Sequence, residues 1–373
     1  MIPRVQKEAI KSKIHSNKII LIRGPKNAGK RELVSEILHE ENHASISFDC
    51  SEKKTKLELD GSESILSKVD GSFIILNEAQ HLDSIQSIVE NALLGKLKQT
   101  LIICCSYTPQ LDAELMEALH LEELDIRFYA PSFYEAAQHF GLPKEEQLLE
   151  DRLIYGNYPA VIDDLTHAEL TLRELIQDVI GTKLGVKDRI NKGDKLLRMM
   201  QLLAFEIGEP VSYNDIGERC GLDNETVERY IELLEDAFVL IKLPSYHTSQ
   251  RYELKKSHCI YFQDNGIRNA LISNFNPTFL RNDMRQLWAN YLVAERVKWI
   301  RMNNLNKEVY FWRTHTRQQM DFIEIGDRVQ GYKCDWEKRK KVKIPKMFEE
   351  LYPEAKTSFL NRSTYWSFLS RKN

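Results

Sequence analysis

Eight consecutive residues carry the clearest chemical signal in this 373-residue chain: Gly24-Pro25-Lys26-Asn27-Ala28-Gly29-Lys30-Arg31. They follow an apolar run at residues 18–23 (KIILIR) and open a helical pattern over Lys30–Glu40. Glycines at both ends let successive backbone N–H groups turn toward one point, and a helix start adds positive potential, so the segment suits phosphate oxygens. Lys30 would reach the β- and γ-phosphates of a nucleotide. The strict form of such a loop ends in Ser or Thr, whose hydroxyl ligates Mg²⁺. Arg31 stands there instead.

A second segment has complementary chemistry. The run Phe73-Ile-Ile-Leu-Asn77-Glu78 is an apolar strand ending in a polar pair. Glu78 stands where a carboxylate would activate an attacking water. Asn77 stands where an Asp would support the metal. Ser106 ends a third run, Thr-Leu-Ile-Ile-Cys-Cys-Ser, and is placed like a polar sensor of the γ-phosphate. Both magnesium supports are thus altered together, hydroxyl to guanidinium and carboxylate to amide. Two outcomes stay open: Arg31 takes over part of the metal's charge and holds a nucleotide, or the phosphate position is empty. The expected catalytic residues are Glu78 and Ser106, the expected nucleotide ligands are residues 24–31, and no metal ligand is assigned. The expected cofactor is ATP or ADP, with Mg²⁺ left open.

Strands alternating with helices must position these groups. Apolar runs at residues 18–23, 72–76 and 100–106 and the alternating stretch 44–49 read as strands, 126–130 is a candidate fifth, and helical stretches lie between them, which implies a parallel sheet covered on both faces. From 131 to 190 the strand signals stop. Ser132-Phe-Tyr-Glu135 reads as a capping box opening a helix that ends near Gly141. Residues 191–250 read as helix, helix, short turn, helix and strand, like a winged helix. Beyond 250, strands return around an amphipathic helix at 285–300. The expected organisation is α/β: a P-loop parallel-sheet domain at 1–130, a helical subdomain at 131–190, a winged-helix-like domain at 191–250 and a further α/β domain at 251–373.

Composition bounds the function. Lys and Arg number 52 against 55 Asp and Glu, a net charge of −3, so the surface as a whole is not built to coat nucleic acid. None of the six cysteines forms a CxxC pair, and several lie in apolar runs, as expected of small core residues in a reducing compartment. No apolar run approaches the ~18 residues of a membrane span. The expected location is the cytoplasm.

In the order of its motifs the chain resembles bacterial and archaeal predicted ATPases that pair an AAA-type P-loop domain with a C-terminal domain of unknown function. The motifs are Leu21-Ile-Arg-Gly-Pro-Lys-Asn-Ala-Gly-Lys30, Ile75-Leu-Asn-Glu-Ala-Gln80, Pro131-Ser-Phe-Tyr-Glu135, Tyr155-Gly-Asn-Tyr-Pro-Ala160, Tyr261-Phe-Gln-Asp-Asn-Gly266, Phe311-Trp-Arg-Thr314 and Met320-Asp-Phe-Ile323. The resemblance implies an ATP-binding AAA-type core, a winged helix and a PD-(D/E)xK nuclease-like C-terminal fold. Relatives of this type often form rings through an arginine finger, for which Arg127 is the nearest candidate. A nuclease site of that type needs three carboxylates and a lysine. Asp321 and Lys333 match two positions, but Gly331 and Ala289 occupy the other two. One carboxylate holds Mg²⁺ poorly.

Nucleic-acid binding has two candidate surfaces. The would-be reading helix, Asn224–Asp236, carries Glu225, Glu228, Glu232, Glu235 and Asp236 against Arg229, which phosphates would repel. Val227, Tyr230, Ile231, Leu233 and Leu234 are expected to face the core. The basic cluster at 338–343 beside Trp336 and Tyr332 reads equally as a phosphate contact or a solvated loop. The expected function is an ATPase-like nucleotide-responsive switch with impaired hydrolysis. The alternative is a non-enzymatic scaffold, for a protein partner or nucleic acid, that keeps an inactive ATPase and an inactive nuclease-like domain.

Overall fold

The computed structural model describes residues 2–16, 18–61, 66, 71–181, 191–247, 257–337 and 343–370. The chain divides into two compact units, Met1–Pro131 and Ser132–Asn373.

The first unit holds β1 (Ile19–Arg23), β2 (Ser45–Asp49), β3 (Phe73–Asn77), β4 (Thr100–Cys105) and β5 (Asp125–Arg127). They form one parallel sheet in the order β2-β3-β4-β1-β5. Side chains alternate between faces along each strand. Ile20 and Ile22 pack with Ile10, Ile14, Leu33, Val34 and Ile37 of the helices Lys7–Ser16 and Lys30–Glu40. Ile19 and Leu21 pack on the other face with Ile85, Ile88, Val89 and Leu119. Burial on both faces is why β1, β3 and β4 read as continuous apolar runs; the edge strand β2 exposes Ser45, Ile46 and Ser47. Arg23 and Asp125 form a buried ion pair that ties β5 to β1 beside the loop that follows.

In the second unit the capping box at Ser132 and Glu135 forms, and the helix Phe133–Phe140 stops at Gly141, whose φ of 86° suits glycine. One core joins Val161, Leu172 and Ile176 to Leu196, Met200, Ile216, Val227, Ile231 and Leu240, continuing to Ile260 and Ile267. The helices before residue 190 and those after it therefore share one interior. The helix Asn224–Asp236 buries Val227, Tyr230, Ile231 and Leu234, half-buries Leu233 and exposes Glu225, Glu228 and Glu232. Its strand β7 (Leu240–Pro244) pairs with β8 (His258–Phe262), which also pairs with β6 (Pro210–Val211).

A second core lies between the helix Met284–Met302 and a four-stranded sheet. β9 (Glu308–Arg313), β10 (Gln319–Ile325) and β11 (Val329–Cys334) are antiparallel neighbours, and β12 (Lys356–Leu360) joins β11 in parallel after the helix Lys346–Leu351. The long helix departs from its expected amphipathic character, because its central charged residues are buried as well as its apolar ones. Arg296 donates to both oxygens of Glu324, at 2.5 and 2.9 Å, and to the Phe368 carbonyl at 2.8 Å. Glu295 accepts from the Phe133 N–H at 2.6 Å and from Asn157 Nδ2 at 2.9 Å, and pairs with Lys298. Charges on an inward face are stable here because each has a partner. All six cysteines are buried and unpaired, as expected of core residues.

Arg296→Met leaves the Glu324 carboxylate buried with Lys307 as its remaining cationic partner at 3.1 Å. The expected cost is about 3 kcal/mol in urea denaturation followed at the second unit, since removing one member of a buried pair typically costs ~3–5 kcal/mol.

Candidate functional site

Three segments leave the C-terminal ends of three adjacent strands: the Gly24–Arg31 loop from β1, Ser106 from β4 and Glu78 from β3. Strand order β3-β4-β1 is what brings them together. Crevices at the carboxyl ends of parallel strands are where α/β sheets bind ligands.

The loop is held tightly. Gly24 passes against β5's extension so closely that a Cβ there would lie 2.1 Å from the Phe128 carbonyl oxygen. Asn27 at φ 60° and Gly29 at φ 96° turn the chain into the helix Lys30–Glu40. Gly29 is the N-cap and offers no side chain to the first helical N–H groups. Those of the first turn lack intrahelical acceptors, so they face outward as donors. Arg4 adds a brace: its guanidinium donates to the Ala28 carbonyl at 2.9 Å and to the Tyr129 carbonyl, and lies 4.1 Å from the centre of the Phe128 ring.

Lys30 is only 6% exposed. Its ammonium donates to the carbonyls of Gly24 at 2.7 Å and Pro25 at 2.9 Å. Burial pushes its pKa below the usual lysine value, opposed chiefly by the negative charge of Glu78.

Glu78 and Ser106 meet. Ser106 Oγ donates to Glu78 Oε1 at 2.8 Å, while Gln80 Nε2 donates to Glu78 Oε2 at 2.6 Å and the Ser106 N–H donates to Gln80 Oε1 at 3.2 Å. Gln80 closes this ring, a part that the spacing of Asn77 and Glu78 did not reveal. Glu78 has φ 52°, a left-handed backbone that costs a non-glycine residue of order 1 kcal/mol.

The two altered positions sit differently. Arg31 is exposed, with 59% of its side chain accessible, and its nearest carboxylate partner is Asp49 at 3.9 Å. It does not plug the loop. Asn77 is buried; its Nδ2 donates to Ser47 Oγ at 2.8 Å, and its Oδ1 has no hydrogen-bond partner. Asp49 is paired in register with Asn77 on the neighbouring strand, so a carboxylate does stand at this end of the sheet, on β2. Arg4 and Asp49 carried no motif in the sequence, and Gln80, which ends the motif Ile75–Gln80, carried no assigned role there.

The C-terminal pair Asp321 and Lys333, read as a remnant of a nuclease-like site, is in contact. Asp321 Oδ1 pairs with Lys333 Nζ at 3.1 Å, and Oδ2 accepts the Cys334 N–H at 2.8 Å. A Cβ at Gly331 would lie 3.0 Å from Met320 and 3.1 Å from Phe348, so packing leaves little room for an acid there. Arg127 is exposed on β5. In the basic cluster at 338–343, residues 338–342 lie outside the described residues. Among the described residues, no helix is long and apolar enough to cross a membrane.

Residues 16–137 match the model of an AAA domain, and residues 146–278 match a model described as a domain of unknown function (DUF8612). The core that runs from Tyr158 to Leu271 falls within the second match. An uncharacterized protein of Haemophilus influenzae is 25% identical over 221 residues, covering 56% of this chain and 55% of its own. An uncharacterized protein of Mycobacterium tuberculosis is 22% identical over 138 residues, 36% of this chain and 30% of its own. The chain thus spans about half, or less, of the length of these curated relatives. Among solved structures, the Walker-type ATPase of Pyrococcus abyssi aligns at 10% identity over 73% of this chain and 96% of that chain, with a TM-score of 0.48. Cdc6p from Pyrobaculum aerophilum aligns at 13% identity over the same shares, with a TM-score of 0.33. Matched model, strand order and loop together define the first unit as an AAA-type P-loop domain.

Two outcomes check this geometry. Gly24→Ala should destabilise the first unit by at least about 2 kcal/mol in thermal denaturation, because overpacking against backbone cannot relax through a side-chain rotation. Lys30→Met should remove a pH dependence. With the folded pKa depressed, the unfolded chain binds more protons between that value and 10.5. The Lys30 contribution to stability is therefore unfavourable below the depressed pKa and recovers as pH rises toward 10.5. The difference in unfolding free energy between wild type and Lys30→Met should shift in favour of wild type over that window; a pH-independent difference would contradict it.

Proposed function

We propose that the first unit binds ATP or ADP at the Gly24–Arg31 loop, hydrolyses it poorly and acts as a nucleotide-responsive switch. The observation that carries this reading is the buried Lys30 ammonium, held by loop carbonyls at the mouth of a helix that no side chain caps. A buried cation satisfied only by neutral dipoles gains when anionic oxygens replace them. Gly29, Lys30 and Arg31 would supply backbone donors to the phosphates, and Pro25, Lys26, Asn27 and Ala28 would complete the wrap. Glu78 and Ser106, joined by Gln80, would face the terminal phosphate.

Magnesium would neutralise charge on the β- and γ-oxygens. The donor set here fits it poorly: a guanidinium and a neutral amide replace the two expected supports. Arg31 is exposed and free to swing from Asp49 toward a phosphate, which favours binding with little dependence on the metal. Glu78 would then lack a fixed partner ion to align its water, so turnover would be slow.

In the second unit, the helices Tyr213–Cys220 and Asn224–Asp236 followed by the β7–β8 pair support a winged helix, and its acidic exposed face disfavours DNA. A long helix, three antiparallel strands, a helix and a parallel strand support a nuclease-like ancestry for residues beyond 250. The Asp321–Lys333 pair argues that this part serves as scaffold for a protein partner, without nuclease chemistry. Six buried thiols fit a cytoplasmic location.

Calorimetric titration with ATP and ADP, with and without Mg²⁺, tests the proposal. Binding should occur in both conditions, and Lys30→Ala should weaken it by about tenfold or more, as expected for loss of a charge-assisted contact. No binding in either condition would end the nucleotide reading and leave the scaffold. Arg31→Thr combined with Asn77→Asp should raise ATP hydrolysis in the presence of Mg²⁺.

A further inference from the structure

The far end of the phosphate-loop helix carries a cluster that the nucleotide site does not use. His15 lies in the last turn of Lys7–Ser16, Glu41 caps Lys30–Glu40, and His43 leads into β2. Asn42, at φ 55°, reverses the chain between the last two, and the N–H groups of Asn42 and His43 close on the carbonyls of His39 and Leu38 at 3.1 and 2.9 Å. This helix-terminating turn fixes Glu41 and His43 relative to each other.

The three side chains converge. Glu41 Oε2 lies 2.8 Å from His15 Nε2 and 3.4 Å from His43 Nε2, and one ligand atom from each residue falls within 4.8 Å of the other two. Glu41 Oε2 and His43 Nε2 are shielded from water, yet neither makes a hydrogen bond. His15 Nε2 thus approaches Glu41 Oε2 without the alignment of a hydrogen bond. Two buried polar atoms facing each other unsatisfied are costly unless something else satisfies them. The rings have limited freedom: His43 packs on Phe73 with ring centres 4.8 Å apart, and the two imidazoles meet edge-on at 5.7 Å. Lys11 Nζ holds the other carboxylate oxygen, Oε1, at 3.0 Å. That contact leaves Oε2 facing the two imidazoles.

We propose that His15, Glu41 and His43 form a binding site for a divalent transition-metal ion, with Zn²⁺ the best match to two imidazoles and one carboxylate. Zinc takes such donors at about 2.0–2.2 Å, and three protein ligands leave a fourth position open to water. Tetrahedral ligands at that range sit roughly 3.3 Å apart, and the two imidazoles lie 2.8 and 3.4 Å from Glu41 Oε2, with all three ligand atoms within 4.8 Å of one another. Lys11 acts as the outer partner that orients the carboxylate. The bound ion would staple the end of the first helix to the end of the phosphate-loop helix and to the lead-in of β2. The site is independent of any nucleotide.

The test uses the full chain, stripped with a chelator and titrated with Zn²⁺ against a competing chromophoric chelator, and separately with Co²⁺ read by its visible absorption. One high-affinity Zn²⁺ per chain is expected, with a four-coordinate Co²⁺ spectrum and a thermal midpoint that rises on Zn²⁺ addition. His15→Ala and His43→Ala should each weaken binding by about tenfold or more. Glu41→Gln, which keeps the shape and loses the charge, should also weaken it. His120→Ala, at an exposed histidine elsewhere, should leave it unchanged. Retained wild-type affinity in the His15→Ala/His43→Ala double variant would overturn the proposal, as would absence of binding by the folded wild-type chain at micromolar Zn²⁺.

Discussion

A lysine ammonium buried at the start of a helix governs the first unit. Lys30 cannot remain there unpaired, and its reach ends at the carbonyls of Gly24 and Pro25, so the preceding residues must curl back over it. Curling in turn presses Gly24 against the Phe128 carbonyl, which only a residue without a Cβ permits. Arg4 and the Arg23–Asp125 pair hold the two sides of the bend. Loop, strand end and first helix are therefore one mechanical unit, organised around a single positive charge that lacks a full counter-ion of its own.

What surrounds that charge explains the unusual composition of the site. A P-loop domain normally shares the phosphate charge between its lysine and a metal ion. Here a second, exposed cation, Arg31, sits one residue beyond the lysine, and β3 ends in an amide, Asn77, in place of a carboxylate. The Asn77 Oδ1 atom remains without a partner, while the carboxylate of Asp49 stands beside it in register on β2, 3.9 Å from Arg31. The acid–hydroxyl pair of Glu78 and Ser106 survives with its own hydrogen-bond ring.

The second unit uses charge differently. Its long helix is enclosed on all sides, and the charged residues it buries act as structural joints: Arg296 clasps β10 through Glu324, and Glu295 caps the helix Phe133–Phe140 through the Phe133 N–H. Asp321 and Lys333, which would be catalytic in an active nuclease-like site, instead satisfy each other.

Local sequence was sufficient for whatever depends on neighbours along the chain. The helix Lys30–Glu40, the capping box at Ser132 and Glu135, the burial of Val227, Tyr230, Ile231 and Leu234, and the runs that became β1, β3 and β4 were all legible, because apolar period and cap chemistry act within a few residues. The places of Glu78 and Ser106 at strand ends were legible, but their hydrogen bond rests on β3 and β4 being neighbours, which only the fold sets. Strands β11 and β12 escaped notice, since Val329–Cys334 and Lys356–Leu360 mix polar and apolar residues and gain their character from the sheet they join. The long helix was misjudged for a related reason: its charges look solvent-facing until distant partners, Glu324 and Phe133, are brought to them. Arg4, Gln80, Asp49 and the His15–Glu41–His43 cluster belong to the same class. Their roles rest on contacts between residues far apart in the chain or on distances of a few ångströms, and only the folded arrangement of strands and helix ends sets those.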